Sequence, residues 1–156
     1  MTPAMLYSGE SLIPHKPPML FIDGVSLSAE GALAYAVVRE DWVILDGAGK
    51  VHPAAFFELM AQGFAAISSA KSREEPGELS APALGFLVGV KKFDIYGEAS
   101  VGEKLAISVQ NHMAVERFHV FDALVKNERN ELLASGQIKI FLAGESVADE
   151  IGGMRQ

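Results

Sequence analysis

The sequence predicts an α+β fold in which an antiparallel sheet wraps around one long buried helix. Two observations carry this. The candidate elements run strand, strand, helix and then three or four strands, without the strand–helix alternation that builds a parallel sheet. The helix candidate, Pro53 to Ser72, has Glu58 as its only charge between Pro53 and Ala70, so no face of it is suited to water. With 156 residues the chain is long enough for one domain with a real core and too short for two typical ones. Residues 1–156 are therefore expected to form a single domain, with 1–12 an N-terminal segment and 144–156 a flexible tail.

Taken in order, Ser8 is placed to cap a short helix running toward Leu12, and Pro14, Pro17 and Pro18 then interrupt regular structure. Met19 to Leu27 reads as a strand, Ala29-Glu30-Gly31 as a turn, and Ala32 to Arg39 as its hairpin partner. Trp42 to Leu45 is a short apolar run that ends in the Gly-rich loop Asp46-Gly47-Ala48-Gly49. Pro53 opens the long helix, where its missing N–H costs nothing. Arg73 to Pro82 is polar and reads as an exposed connection. Leu84 to Ile95, broken near Gly89, then Lys104 to Met113, Phe118 to Lys126 and Leu132 to Leu142 are rich in Val, Ile, Phe and Leu with partial period-2 alternation. One curved sheet over one helix leaves an edge and the far side of the helix uncovered, which predicts self-association.

Composition narrows the functions available. A hydrophobic share of 49% with 21% charged residues is that of a globular chain. A formal net charge of −7 argues against nucleic-acid binding, which needs clustered Lys and Arg. Cysteine is absent, so disulfides and thiol catalysis are excluded. No apolar run reaches the ~18 residues of a membrane span, and the N-terminus lacks the basic-then-apolar order of a signal peptide, so a cytoplasmic location is expected. The four histidines show no close ligand spacing and no H-E-x-x-H occurs, so neither a metal nor a cofactor is expected.

On the helix, Phe56, Met60, Phe64 and Ile67 recur at about 100° per residue as one bulky stripe. The opposite face carries Glu58, Ala61, Gln62, Ala65 and Ser69 in place of the usual Lys, Glu and Arg. Small residues there, with Gly63 and Ala66, let a sheet come close to the helix axis. Glu58 is thus expected inside the protein or at the mouth of its interior, where burial disfavours the ionised carboxylate and suits a general acid.

Four segments in order resemble the 3-hydroxyacyl-acyl carrier protein dehydratases of the FabA and FabZ type. They are Ile13-Pro14-His15-Lys16-Pro17-Pro18-Met19-Leu20-Phe21-Ile22-Asp23, Glu58-Leu59-Met60-Ala61-Gln62, Leu84 to Phe93, and Val101-Gly102-Glu103-Lys104-Leu105. The resemblance spans roughly Leu12 to Phe141 and implies the hot-dog fold, a sheet wrapped around a central helix. It also implies elimination of water from an acyl thioester, by a His and a carboxylate from different subunits, with Glu58 at the carboxylate position. The family's His stands in a G-H-F-P-G segment, 14 residues before that carboxylate, where this chain has Ile44. The Gly whose amide forms the family's oxyanion hole lies five residues before the carboxylate, where Pro53 has no N–H to give. The chain is most similar to the branch of relatives that lacks the usual His.

Three residues are accordingly candidates for catalysis: Glu58, His52 beside the helix start, and His15, whose family counterpart is structural. Gln62, Phe57, Ala54, Phe86 and Leu87 are candidates for lining the substrate site. His112 and His119 fall on late strands with no carboxylate nearby in sequence and are read as ordinary surface or core residues. The resemblance implies an acyl carrier protein or coenzyme A thioester as partner, in a homodimer or higher homo-oligomer or with a second hot-dog protein supplying the His. A non-catalytic acyl- or carrier-binding subunit and an acyl thioesterase stay open as alternatives.

Overall fold

A computed structural model describes residues 5–74 and 84–143. The chain runs β1 (Met5–Ser8), α1 (Gly9–Leu12), β2 (Gly24–Ser28), β3 (Gly31–Val37), a single 3₁₀ turn (Pro53–Ala55), α2 (Phe56–Glu74), β4 (Leu84–Ile95), β5 (Lys104–Val115), β6 (Phe118–Asn127) and β7 (Leu132–Ala143). Seven strands form one sheet in the order β1-β2-β3-β5-β6-β7-β4, with antiparallel neighbours throughout. The expected α+β hot-dog arrangement is the one found: the sheet wraps α2, and β1 and β4 are its edges.

Alternation on the late strands sets the inner face. Leu105 and Ile107 of β5, Phe121, Ala123 and Val125 of β6, and Ala134, Ile138 and Ile140 of β7 are all buried. Against them lies the stripe read from the helix, with Phe56, Met60, Phe64 and Ile67 buried and the Phe64 ring stacked on Phe121 at 4.0 Å between centroids. Gly63 is where helix and sheet come closest, because a Cβ there would stand 2.7 Å from Ile107 Cγ2 and 3.7 Å from Ala34 Cβ. Ala66 and Ala70 are also buried, whereas Ala61, Ala65, Ser68 and Ser69 are half-exposed. Only part of the small-residue face therefore meets the sheet, and the remainder looks away from it.

Several boundaries differ from expectation. Met19 to Leu27 is not one strand, since β2 begins at Gly24. The backbone of the preceding residues is bonded from elsewhere: Phe21 N–H donates to Gln62 Oε1 (3.0 Å), and Leu20 C=O accepts from the Arg39 guanidinium (3.3 Å). Side chains 41 and 19 residues away thus replace ladder bonds there, which local alternation does not reveal. Ser8 closes β1 and precedes α1, but its hydroxyl makes no capping bond. The long helix starts with the 3₁₀ turn at Pro53 and becomes α-helical only at Phe56. The break expected near Gly89 is a register shift in the β4–β7 ladder, followed by a second between Lys91 and Asp94, where Lys92 takes φ of 52°. Most of the Arg73–Pro82 connection and the 144–156 tail lie outside the described residues.

Candidate functional site

The irregular stretch from Ile13 to Asp23, which takes in the first half of the expected strand, brings His15 beside Glu58 near the start of α2. Gln62 bonds its backbone at Met19 and Phe21. Gln62 is the one buried polar residue among those described, at 1% exposure. Its Oε1 accepts from Phe21 N–H (3.0 Å), while its Nε2 donates to Met19 C=O (2.8 Å) and to Glu58 Oε1 (3.0 Å). Three of the four bonds an amide can make are thus filled within the protein. Expected as a substrate contact, Gln62 lies behind Glu58 and holds both the carboxylate and the His15–Phe21 segment.

Glu58 is one turn before Gln62 and is half-buried, its side chain 31% exposed. His15 Nε2 lies 3.8 Å from Glu58 Oε1, and its side chain is 34% exposed. The other imidazole nitrogen, Nδ1, is buried without a hydrogen-bond partner. Gln62 and His15 therefore approach the same carboxylate oxygen, and among the described residues no hydrogen bond reaches Glu58 Oε2. The result is a partly open carboxylate beside an imidazole, both on one chain.

His52 sits differently. It is exposed, its Nδ1 accepts from Ala54 N–H (3.2 Å), and its own N–H donates to Ile44 C=O (2.8 Å). It caps the 3₁₀ turn, and among the described residues no ion pair joins it to a carboxylate. Ala54 is exposed on that same turn. Phe57 is half-buried beside Glu58, its ring meeting Phe93 edge-on at 6.3 Å. The backbone of Phe86 and Leu87 lies in β4, opposite Phe141 and Ile140, and their side chains lie outside the description. Ile44, at the place of the family His, is half-buried and packs against the core.

The Gly-rich loop is braced by its own bonds. Asp46 Oδ1 already accepts from Ala48 N–H (2.8 Å) and Lys50 N–H (3.0 Å), bonds that hold its carboxyl below the usual range. The Lys50 ammonium bonds Glu98 at 2.6 Å, which raises the Lys50 pKa. Gly49 takes φ of 74°, a left-handed conformation that suits glycine, so the loop closes tightly onto Val101. The described residues contain no cluster of three metal-binding side chains and no helix long and apolar enough to cross a membrane.

Two pairings were not visible in the sequence. His112 Nδ1 is 3.5 Å from Asp122 Oδ2 on the adjacent strand, and Asp122 also accepts from Gln137 Nε2 at 3.3 Å. His119 packs its ring 6.1 Å from that of Phe64. Of the two histidines named beside Glu58 as catalytic candidates, His15 is the one found near it, at 3.8 Å, whereas His52 bonds its own turn.

Comparison with known proteins places this geometry. The ApeP-like family, described as ApeP dehydratase, matches residues 7–150. YcsD of Bacillus subtilis (strain 168), an uncharacterised protein, is 35% identical over 103 residues, covering 63% of this chain and 71% of that protein. Among solved structures, the dehydratase heterocomplex ApeI:P from Xenorhabdus doucetiae superposes with a TM-score of 0.78 at 19% identity, over 93% of this chain and 97% of the matched one. A hypothetical thioesterase with coenzyme A from Streptococcus pneumoniae TIGR4 superposes with a TM-score of 0.57 at 13% identity, over 72% and 81% respectively. At such identities these structures share the fold. The match over residues 7–150 is what assigns the family: this chain belongs to the ApeP-like dehydratases, proteins of the hot-dog type.

Proposed function

We propose that the protein takes part in eliminating water from a 3-hydroxyacyl thioester, carried on an acyl carrier protein or coenzyme A, with Glu58 and His15 forming the acid–base site. One observation carries this reading: the carboxylate of the central helix is partly open and lies 3.8 Å from an imidazole of the same chain. Elimination requires removal of the proton α to the thioester carbonyl and protonation of the departing hydroxyl, tasks that such a pair can serve. At 3.8 Å the pair is slightly beyond hydrogen-bond length, and such catalytic contacts tighten when substrate binds. His52, engaged with its own turn, is the weaker candidate for the second group.

A second reading concerns assembly. The half-exposed Ala61, Ala65, Ser68 and Ser69 and the position of β4 as an edge strand among the described residues invite a second hot-dog subunit. The ApeI:P assembly, a heterocomplex by its description, supports an unlike partner in preference to a second copy of this chain. In this reading the partner covers the helix face, and turnover by the isolated chain is low.

The test is formation of the conjugated enoyl thioester from a 3-hydroxyacyl thioester, followed by ultraviolet absorbance, with the chain alone and mixed with a partner hot-dog subunit. Turnover in either arm supports the proposal. Release of free thiol without enoyl product would point to hydrolysis instead, and no reaction in either arm would reduce the chain to a binding subunit.

A further inference from the structure

We infer that Phe93, carried on a bulge of the edge strand β4, limits the size of the acyl group, as the wall across the helix face from Glu58. The inference rests on the proposed elimination and names what selects its substrate.

The β4–β7 ladder shows how the ring is placed. Lys91 pairs with Gln137 and Asp94 with Ser135, so Lys92 and Phe93 together stand opposite the single Gly136. In an unbroken ladder Lys92 would face inward with Gly136, and Phe93 would point outward beside Ser135. The extra residue reverses this: Lys92 is exposed, and Phe93 is half-buried on the helix side of the sheet. Lys92 takes φ of 52° to do so, a left-handed conformation that is unfavourable for a residue with a side chain. Gly136 supplies the room, since a Cβ there would stand 3.2 Å from Phe93 Cδ2 and 3.3 Å from Met60 Sδ. Bulges beside active sites re-aim side chains, and backbone strain of this kind gathers where a ligand is clamped.

The ring is turned toward the site. It meets Phe57, the helical neighbour of Glu58, at 6.3 Å between centroids and 82° between planes. Around α2, at about 100° per residue, Ala61 and Ala65 fall between Phe57 and Glu58. Both are half-exposed. This face of α2 is therefore a shallow trough, with Glu58 and His15 along one side and Phe57 and Phe93 along the other. The β4 side is open further along, where Val90 is 37% exposed although its cross-strand partner Ile138 is fully buried. An acyl chain whose reacting carbons lie at Glu58 has Ala61 and Ala65 beneath it and the Phe57–Phe93 pair beside it. A partner subunit over this face would close the trough into a tunnel. Phe57 is fixed on the helix, whereas Phe93 is placed by the bulge, so Phe93 decides how much bulk the trough accepts.

The test compares a short- and a long-chain 3-hydroxyacyl coenzyme A in turnover, and their unreactive thioether analogues in binding by calorimetry, with the partner subunit if one is needed. Phe93→Ala should raise the long-to-short ratio of kcat/KM, and that of affinity, by about tenfold or more. Lys92→Val puts a β-branched residue where φ of 52° is required and should move both ratios the same way without touching the ring. Lys92→Gly takes that φ freely and should keep the wild-type ratios. A fold that is merely destabilised loses activity on both chain lengths alike, so unchanged ratios in Phe93→Ala overturn the inference. A Lys92→Val variant that behaves like Lys92→Gly overturns it as well. Affinity ratios that shift as expected without any turnover count against the elimination and leave the wall in place. Binding of neither analogue by the wild type overturns the wall.

Discussion

Replacing Gln62 by Leu removes the side chain that hydrogen-bonds the backbone of the Met19–Phe21 stretch to α2, and its cost can be worked from the three bonds lost. Phe21 is fully buried, so its N–H is left with no acceptor and no access to water. Such a group costs about 1–3 kcal/mol. Met19 is 46% exposed, so its carbonyl can turn to solvent, and the half-exposed Glu58 carboxylate can do likewise. Those two bonds add little. Leu nearly conserves volume, so no large cavity opens, and the expected loss is about 2 kcal/mol. For a chain of this length that lowers Tm by about 4–8 °C. Urea unfolding gives the stability change, and amide hydrogen exchange locates it: the Phe21 amide should lose protection while the centre of β6 keeps its own. A loss below about 0.5 kcal/mol, or unchanged protection at Phe21, would refute the view that Gln62 anchors this segment.

Two further outcomes follow from the packing and the charges. Gly63→Ala places a methyl group 2.7 Å from Ile107 Cγ2, so overpacking of about 1–3 kcal/mol opposes a helix-propensity gain of about 1 kcal/mol. A net loss of about 1 kcal/mol is expected by thermal melting, and a stabilised variant would contradict the close approach of α2 to β5. Asp46 has a folded-state pKa below its ordinary value of 3.8, so its contribution to stability is present above that value and is lost as pH falls through the lowered folded value. Asp46→Asn cannot titrate, so its stability should fall less steeply with acidification below about pH 4 than that of wild type. Identical acid limbs would show that the loop bonds to Ala48 and Lys50 do not persist in solution.

The fold was legible because its signals are local. The bulky stripe of Phe56, Met60, Phe64 and Ile67, the small residues about Gly63, and the period-2 runs of the last three strands each report burial within a few residues of themselves. The site was legible only in part. Glu58 stood out because a lone charge in the stretch from Pro53 to Ala70 needs a reason. His15 was a candidate through the resemblance alone, since its approach to Glu58 depends on an irregular segment whose backbone is bonded by Gln62 and Arg39 from distant parts of the chain. Met19 to Ile22 reads as a strand for the same reason: buried apolar residues look alike whether a ladder or a side-chain amide satisfies their backbone. His52 attracted attention by lying next to Pro53 in sequence, but its ring turns to its own backbone and caps the 3₁₀ turn.

The central claim is that Glu58 acts in loss of water from a 3-hydroxyacyl thioester. Mass spectrometry of the intact thioester after incubation with the chain, with its partner subunit if one is required, tests this most directly. The account predicts a product lighter by one water with the thioester still attached, formed by wild type and absent with a folded Glu58→Gln variant. Release of the free acid, or water loss that continues unchanged in Glu58→Gln, would contradict it.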